Sequence, residues 1–281
     1  MPRPVTVACL QTRPMPDFYS AVGEALGLAR QAVEAGASFL ALPEYCGGLT
    51  SDGAAFHPPA AALDEHPVVT ALREFSAEHR VWTLIGSVAV PGPDGRILNR
   101  GVLIDDKGAL QNHYDKIHMF DIQMSETAVY RESATVSPGS SAVVHQTSWG
   151  SLGHSICYDL RFPHLYRDLA QSGAEMLAIP AAFTKRTGEL HWHVLNRARA
   201  IENGAYVIAP CADGAVPGGG ECYGHSLIID PMGKVLADGG EGPGIVTAEI
   251  DLDLVAEARA KIPSLSHDRA YDGQAQPLAA E

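Results

Sequence analysis

Gly36-Ala37-Ser38-Phe39-Leu40-Ala41-Leu42-Pro43 decides the fold, because it returns as Gly173-Ala174-Glu175-Met176-Leu177-Ala178-Ile179-Pro180. Each octet reads as a glycine that closes a helix, a short apolar strand and a proline that ends it. Upstream of the first octet, Val5 to Leu10 alternates like a strand. Ala21 to Ala35 then carries Val22, Leu26, Ala29 and Val33 at helical spacing. Strand, helix and strand in that order predict a parallel unit. Downstream, Val68 to Arg80 reads as a helix and Val81 to Val90 as a strand. Gly101 to Ile104 with Ala109 to His113 read as a hairpin about Asp105-Asp106-Lys107-Gly108. A second echo follows in the same order, Val102-Leu103-Ile104-Asp105 with Gly108 against Leu227-Ile228-Ile229-Asp230 with Gly233. Two echoes predict an α/β chain in which one sheet-and-helix layout is used twice, the halves packed face to face. The competing explanation is that helix-glycine-strand units look alike by physics alone.

The octets also differ where they end. Glu44 follows the first, and the matching position after the second is Ala181. A site built from unlike contributions of two similar halves belongs at their seam. Two further strand ends carry reactive groups: Lys116 in Tyr114-Asp115-Lys116-Ile117-His118, and Cys157 after Leu152-Gly153-His154-Ser155-Ile156. Chemistry in open α/β sheets gathers at the carboxyl ends of strands. A thiol placed where a strand breaks into a helix start has backbone N–H groups beside it that lower its pKa and can hold an oxyanion. Taken singly, each has a plainer reading: a buried inert cysteine, a surface glutamate, a solvated loop lysine.

These residues, in this order, resemble the nitrilase superfamily of carbon-nitrogen hydrolases. The matching stretches are LPEY around Glu44, YDKIHMFD around Lys116 and GHSICYDLRFP around Cys157. A fourth, Tyr130-Arg131-Glu132-Ser133, stands ahead of Ser137-Pro138-Gly139. The resemblance runs from about Val5 to Asp272 and implies a four-layer α-β-β-α sandwich with internal pseudo-duplication. It implies Cys157 as nucleophile, Glu44 as base, and Lys116 with the Tyr158 backbone N–H as oxyanion donors. Glu132 would orient Lys116 or help to activate water, unless it simply pairs with Arg131. Neither metal nor cofactor is required. The resemblance also implies a homo-oligomer and a small-molecule amide substrate.

Ala182-Phe183, Thr187-Gly188, His191-Trp192 and Arg197-Ala198-Arg199-Ala200-Ile201-Glu202 look most like the branch of omega-amidases and deaminated-glutathione amidases. Tyr223-Gly224-His225-Ser226 with Asp230-Pro231 leans toward the second, and the lysine stretch toward the first. Cys46-Gly47-Gly48 departs from both. Arg161, close after Cys157, could fork onto a substrate carboxylate or pair with Asp159 or Asp168. Phe183 and Thr184 are pocket candidates. Hydrolysis of N-carbamoyl compounds and a non-catalytic binding role for the same fold are the alternatives. A metal-dependent amidohydrolase using His191 and His193 is a third, but Leu190, Val194, Leu195, Ala198 and Ile201 recur at helical spacing and point those imidazoles apart. His113, His118 and His154 have no carboxylate or thiol at ligand spacing. Gly218-Gly219-Gly220 lacks the lysine of a phosphate loop and reads as a flexible loop.

The composition agrees with such an enzyme. The 281 residues, 46% hydrophobic and 19% charged, suffice for one compact domain, with a core over about 5–265 and a polar tail at 267–281. A net charge of −13 disfavours nucleic acid and anionic membranes. Five dispersed cysteines without a Cys-x-x-Cys pair fit a reducing compartment. With no apolar signal region at the start and no long apolar run, the expected location is cytoplasmic.

Overall fold

The computed structural model describes residues 3–53, 55–123 and 129–270. The first half runs β1 (Pro4–Gln11), α1 (Phe18–Glu34), β2 (Phe39–Ala41), α2 (Pro67–His79), β3 (Trp82–Pro91), β4 (Ile97–Ile104) and β5 (Leu110–Asp115). Asp17 caps α1 by accepting the Ser20 N–H, and Gly36, at φ +86°, turns the chain out of the helix into β2. A small hairpin, β6 (Asp121–Gln123) and β7 (Val129–Arg131), separates the halves.

The second half runs β8 (Val143–Gln146), β9 (Ser151–His154), α3 (Pro163–Gln171), β10 (Met176–Ala178), α4 (Lys185–Asn203) and β11 (Tyr206–Ala209). The ribbon β12 (Asp213–Ala215) and β13 (Glu221–Tyr223) follows. Then come β14 (Leu227–Ile229), β15 (Val235–Asp238), β16 (Gly244–Asp251) and α5 (Asp253–Lys261).

Two six-stranded sheets result, ordered β16-β1-β2-β3-β4-β5 and β15-β14-β11-β10-β9-β8. In each, three parallel strands are flanked by antiparallel ones. The octet echo falls on β2 and β10 and the second echo on β4 and β14, which hold equivalent places in their sheets. The edge beside β1 is filled by β16 from the chain's end, whereas β8 fills the same place by directly preceding β9.

Period-two alternation then sorts the side chains into layers. Val5, Val7, Cys9, Phe39 and Ala41 face Leu152, Met176, Ala178, Tyr206 and Ile208 across the sheet–sheet interface. The alternate residues Ala8, Leu10, Leu40 and Leu42 pack against α1 and α2. Leu177, Ile179, Val207 and Ala209 pack under α3 and α4. The architecture is the four-layer α-β-β-α sandwich expected from the sequence. Of the tail at 267–281, residues 267–270 are exposed and 271–281 lie outside the described residues. Gly218, Gly219 and Gly220 all have positive φ in the tight connection from β12 to β13, a turn that glycine permits without strain. Among the described residues, no helix is long and apolar enough to cross a membrane.

Candidate active site

Three strand ends converge at the seam of the two halves. Beyond β2, Leu42-Pro43 carries the chain to Glu44, and Tyr45 takes a left-handed turn at φ +53° with its N–H held by Ser87 Oγ at 2.9 Å. Beyond β9, Cys157 opens a 3-10 turn over Cys157–Arg161, again left-handed at φ +49°, its N–H donating to Pro180 O at 2.9 Å. Neither residue is glycine, so both conformations carry strain that the surrounding bonds must offset. Tyr158, second in that turn, has no carbonyl one turn back within the element to receive its N–H. Lys116 follows β5, with its N–H on Asn99 O at 3.0 Å.

The reactive side chains are buried together. Lys116 Nζ lies 2.9 Å from Glu44 Oε1 and 2.9 Å from both Glu132 oxygens, which engages all three of its protons. Asn99 Nδ2 donates to Glu44 Oε1 at 2.8 Å, and the Ala182 N–H donates to Glu44 Oε2 at 2.9 Å. Glu132 Oε2 also accepts the Phe120 N–H. The sequence left open whether Glu132 pairs with Arg131; it pairs with Lys116 instead.

One fully buried carboxylate joins the lysine segment to the cysteine turn. Asp159 Oδ2 accepts from the Ile156 N–H at 2.8 Å and from Tyr114 OH at 2.7 Å. Its Oδ1 accepts the His118 N–H at 3.0 Å and lies 2.7 Å from His118 Nδ1. His118, left without a partner by spacing alone, thus meets a carboxylate, and its ring stacks on Phe162 at 3.5 Å.

These surroundings set the charge states. Burial pushes Glu44 up, but Lys116 and the Ala182 N–H outweigh it and hold the carboxyl below its ordinary value. Burial lifts Glu132 above the ordinary range, with Glu44 adding to the rise against the pull of Lys116. Burial would lower Lys116, yet the two glutamates raise it well above the usual lysine value. The lowering expected from a helix start does not hold for Cys157: burial and the neighbouring Glu44 push its thiol well up, with Lys116 pulling the other way. The resting arrangement is therefore an ammonium shared by two acids beside a neutral thiol. Proton transfer from that thiol to Glu44 is the first step this geometry invites.

A pocket opens over these groups. Glu44, Lys116, Glu132 and Cys157 line it, and so do Tyr158, Phe183 and Thr184. Arg161 does not line it. Its guanidinium lies 3.3 Å from His191 Nδ1 and over the rings of Tyr158 and Phe183, at 5.8 and 5.6 Å from their centroids, making neither ion pair drawn from the sequence. It packs instead on Tyr158 and Phe183, which do line the pocket. Arg131, which the sequence reading considered only as a partner for Glu132, contributes a cation to the lining. Asn99 and Asp159 were missed as well. An asparagine inside an apolar strand was the available signal for the first, since strands disfavour that residue.

A buried carboxylate, an ammonium and a thiol thus meet at one pocket of a four-layer sandwich. The chain belongs to the carbon-nitrogen hydrolase family, whose pattern matches residues 6–260. It is 40% identical over 273 residues to the deaminated glutathione amidase of Synechocystis, covering 94% of this chain and 98% of the relative. It is 37% identical over 177 residues to omega-amidase NIT3 of Saccharomyces cerevisiae, covering 63% of this chain and 60% of that protein. Its fold matches the crystal structure of S. cerevisiae Nit3, a member of branch 10 of the nitrilase superfamily. That match has a TM-score of 0.81 and 28% identity, over 92% of this chain and 94% of that one.

Proposed function

We propose that the protein hydrolyses the amide of a small linear acid through a thioester on Cys157. Glu44 takes the thiol proton, and the sulfur attacks the amide carbon to give a tetrahedral oxyanion. The Tyr158 N–H and Lys116 stabilise that charge, and losing one such donor typically costs about 2.7 to 4 kcal/mol of barrier. Glu44 returns the proton to nitrogen, ammonia or an amine departs, and the acyl group stays on sulfur. Glu44 then deprotonates a water that attacks the thioester, and the acid leaves as the proton returns to Cys157. Glu132 holds Lys116 from the far side, so the ammonium can turn one N–H toward the oxyanion without losing its charge partner.

The observation that carries this reading is the ammonium 2.9 Å from both Glu44 and Glu132 at the base of a pocket that Cys157 also lines. The relatives' names favour deaminated glutathione or an omega-amide such as alpha-ketoglutaramate as substrate. Among the described lining residues, Arg131 is a cation not paired with Glu44 or Glu132 and is placed to meet a substrate's second charge, and Phe183 and Thr184 would bound its chain. N-carbamoyl acids are the alternative. A screen of alpha-ketoglutaramate, succinamate, deaminated glutathione and N-carbamoyl acids, read by released ammonia or amine, separates them. Highest kcat/KM on an N-carbamoyl acid would reject the omega-amide assignment.

We further propose a cytoplasmic homo-oligomer. Five free, buried cysteines fit a reducing compartment. Leu190, Val194 and Ile201 stand exposed along one face of α4, an apolar strip suited to a second copy. Light scattering that finds only a monomer would reject the oligomer.

A further inference from the structure

We propose that His193, His225 and Asp238 form a binding site for one zinc-class divalent ion, separate from the Cys157 pocket. Their candidate ligand atoms lie within 4.8 Å of one another. His193 Nε2 is 3.0 Å from Asp238 Oδ2, and His225 Nδ1 is 2.9 Å from Asp238 Oδ1. Two imidazoles and one carboxylate are a donor set that suits zinc or cobalt, with water completing the shell. All three side chains keep 24–35% of their surface exposed, so an ion and its water can reach them.

The three come from separate elements, and the backbone ties them together before any ion arrives. His193 is on α4, His225 on the connection from β13 to β14, and Asp238 ends β15. The carbonyl of His225 accepts from Trp192 Nε1 at 2.8 Å, beside the first ligand. The His225 N–H donates to Gly240 O at 2.8 Å, beside the third. His225 itself is held at φ +50°, and Tyr223 stacks on its ring at 4.5 Å. Gly240 N–H donates to Asp238 Oδ1 at 2.9 Å, fixing the carboxylate. Zinc–ligand bonds of about 2.0–2.2 Å require donor atoms roughly 3.3 Å apart. Closing the 4.8 Å span to that value requires the side chains to turn inward, for which the His193 ring is partly exposed. Each neutral ring moves its proton to the nitrogen facing away, leaving the inner nitrogen's lone pair for the metal.

The ion would clamp α4 to β15, and the clamp reaches the pocket wall through Tyr223, whose N–H donates to Phe183 O at 2.9 Å. Its role is structural, since no ligand lines the pocket. Sequence spacing alone pointed to His191 with His193. The helix sends His191 to Arg161 and His193 to partners remote in the chain.

The test is calorimetric titration of the full chain with zinc in a Cys157→Ala background, which removes the pocket thiol as a competing ligand. One equivalent is expected to bind and to raise Tm. His193→Gln, His225→Ala and Asp238→Asn should each weaken binding tenfold or more while leaving the circular dichroism unchanged. Cobalt should give visible absorption that the same variants lose. Turnover of the unsubstituted enzyme should survive chelation. Zinc uptake unchanged in both His193→Gln and Asp238→Asn, or no uptake at all, would overturn the proposal. His193→Gln, on a helix surface, keeps the test decisive if His225→Ala does not fold.

Discussion

The ends of β2 and β10 are the same piece of architecture put to opposite uses. Pro43-Glu44-Tyr45 and Pro180-Ala181-Ala182 occupy equivalent positions, yet the first supplies a carboxylate and the second supplies the Ala182 N–H that binds it. The neighbouring strands repeat the lesson. Cys9 pairs with Ala41 and His154 with Ala178, so three residues further along Thr12 and Cys157 correspond. One is a buried threonine and the other the thiol of the site. Repetition built the seam, and divergence at a few strand ends placed unlike groups across it.

The largest effect should come from removing the one thiol at the seam. Cys157→Ala should lower kcat on the order of 10⁴-fold or more with Tm little changed, by analogy with other covalent nucleophiles. Activity near that of the parent would break the comparison. Glu44→Gln keeps the shape but removes the base, and kcat should fall about 10²- to 10⁴-fold. Moving the carboxylate to the other half sharpens the contrast. Ala181→Glu would bury a charge with no ammonium waiting for it, and urea unfolding should register a loss of about 3 kcal/mol or more. A neutral Ala181→Glu would mean that the second seam position is not closed to charge.

Smaller effects probe the supports. Asn99→Ala leaves Glu44 Oε1 with Lys116 alone and should cost about 1.5 to 3 kcal/mol of stability, since a hydrogen bond to a buried charge is lost. Its kcat should fall more than its KM rises.

The last prediction concerns pH. Lys116 holds Glu44 below its ordinary value, so the stability this carboxylate contributes is present above its unfolded pKa and is lost as pH falls through the lowered one. Glu132, raised by burial, works in the opposite direction: its protonated form is favoured on folding, and that contribution fades as pH rises through its folded pKa. The acid limb of kcat/KM should therefore move to higher pH in Lys116→Met. A limb that stays in place would detach Glu44 from the lysine.

Much of this arrangement was legible in the chain because strand ends announce themselves. A short apolar run closed by proline locates Glu44 and Ala181, and four ordered stretches locate the lysine and cysteine. What stayed hidden depends on contacts between remote positions. Glu44 and Asn99 stand 55 residues apart, and nothing in either neighbourhood points to the other. Asp159 could be drawn as a partner for Arg161, but its buried role toward Tyr114 and His118 depends on how two loops pack. Arg161 was placed toward substrate because it follows the nucleophile closely, and the rotation of one 3-10 turn sends it to His191. The left-handed Tyr45 and Cys157 were equally silent, since neither is a glycine that would mark the turn.

The most direct test is to quench the enzyme during turnover of its best substrate and locate the acyl group by peptide mass. The account predicts a thioester on Cys157 and none on Cys9, Cys46, Cys211 or Cys222, with hydroxylamine diverting product to hydroxamate. Steady turnover with no acylated Cys157 and no hydroxamate would contradict it.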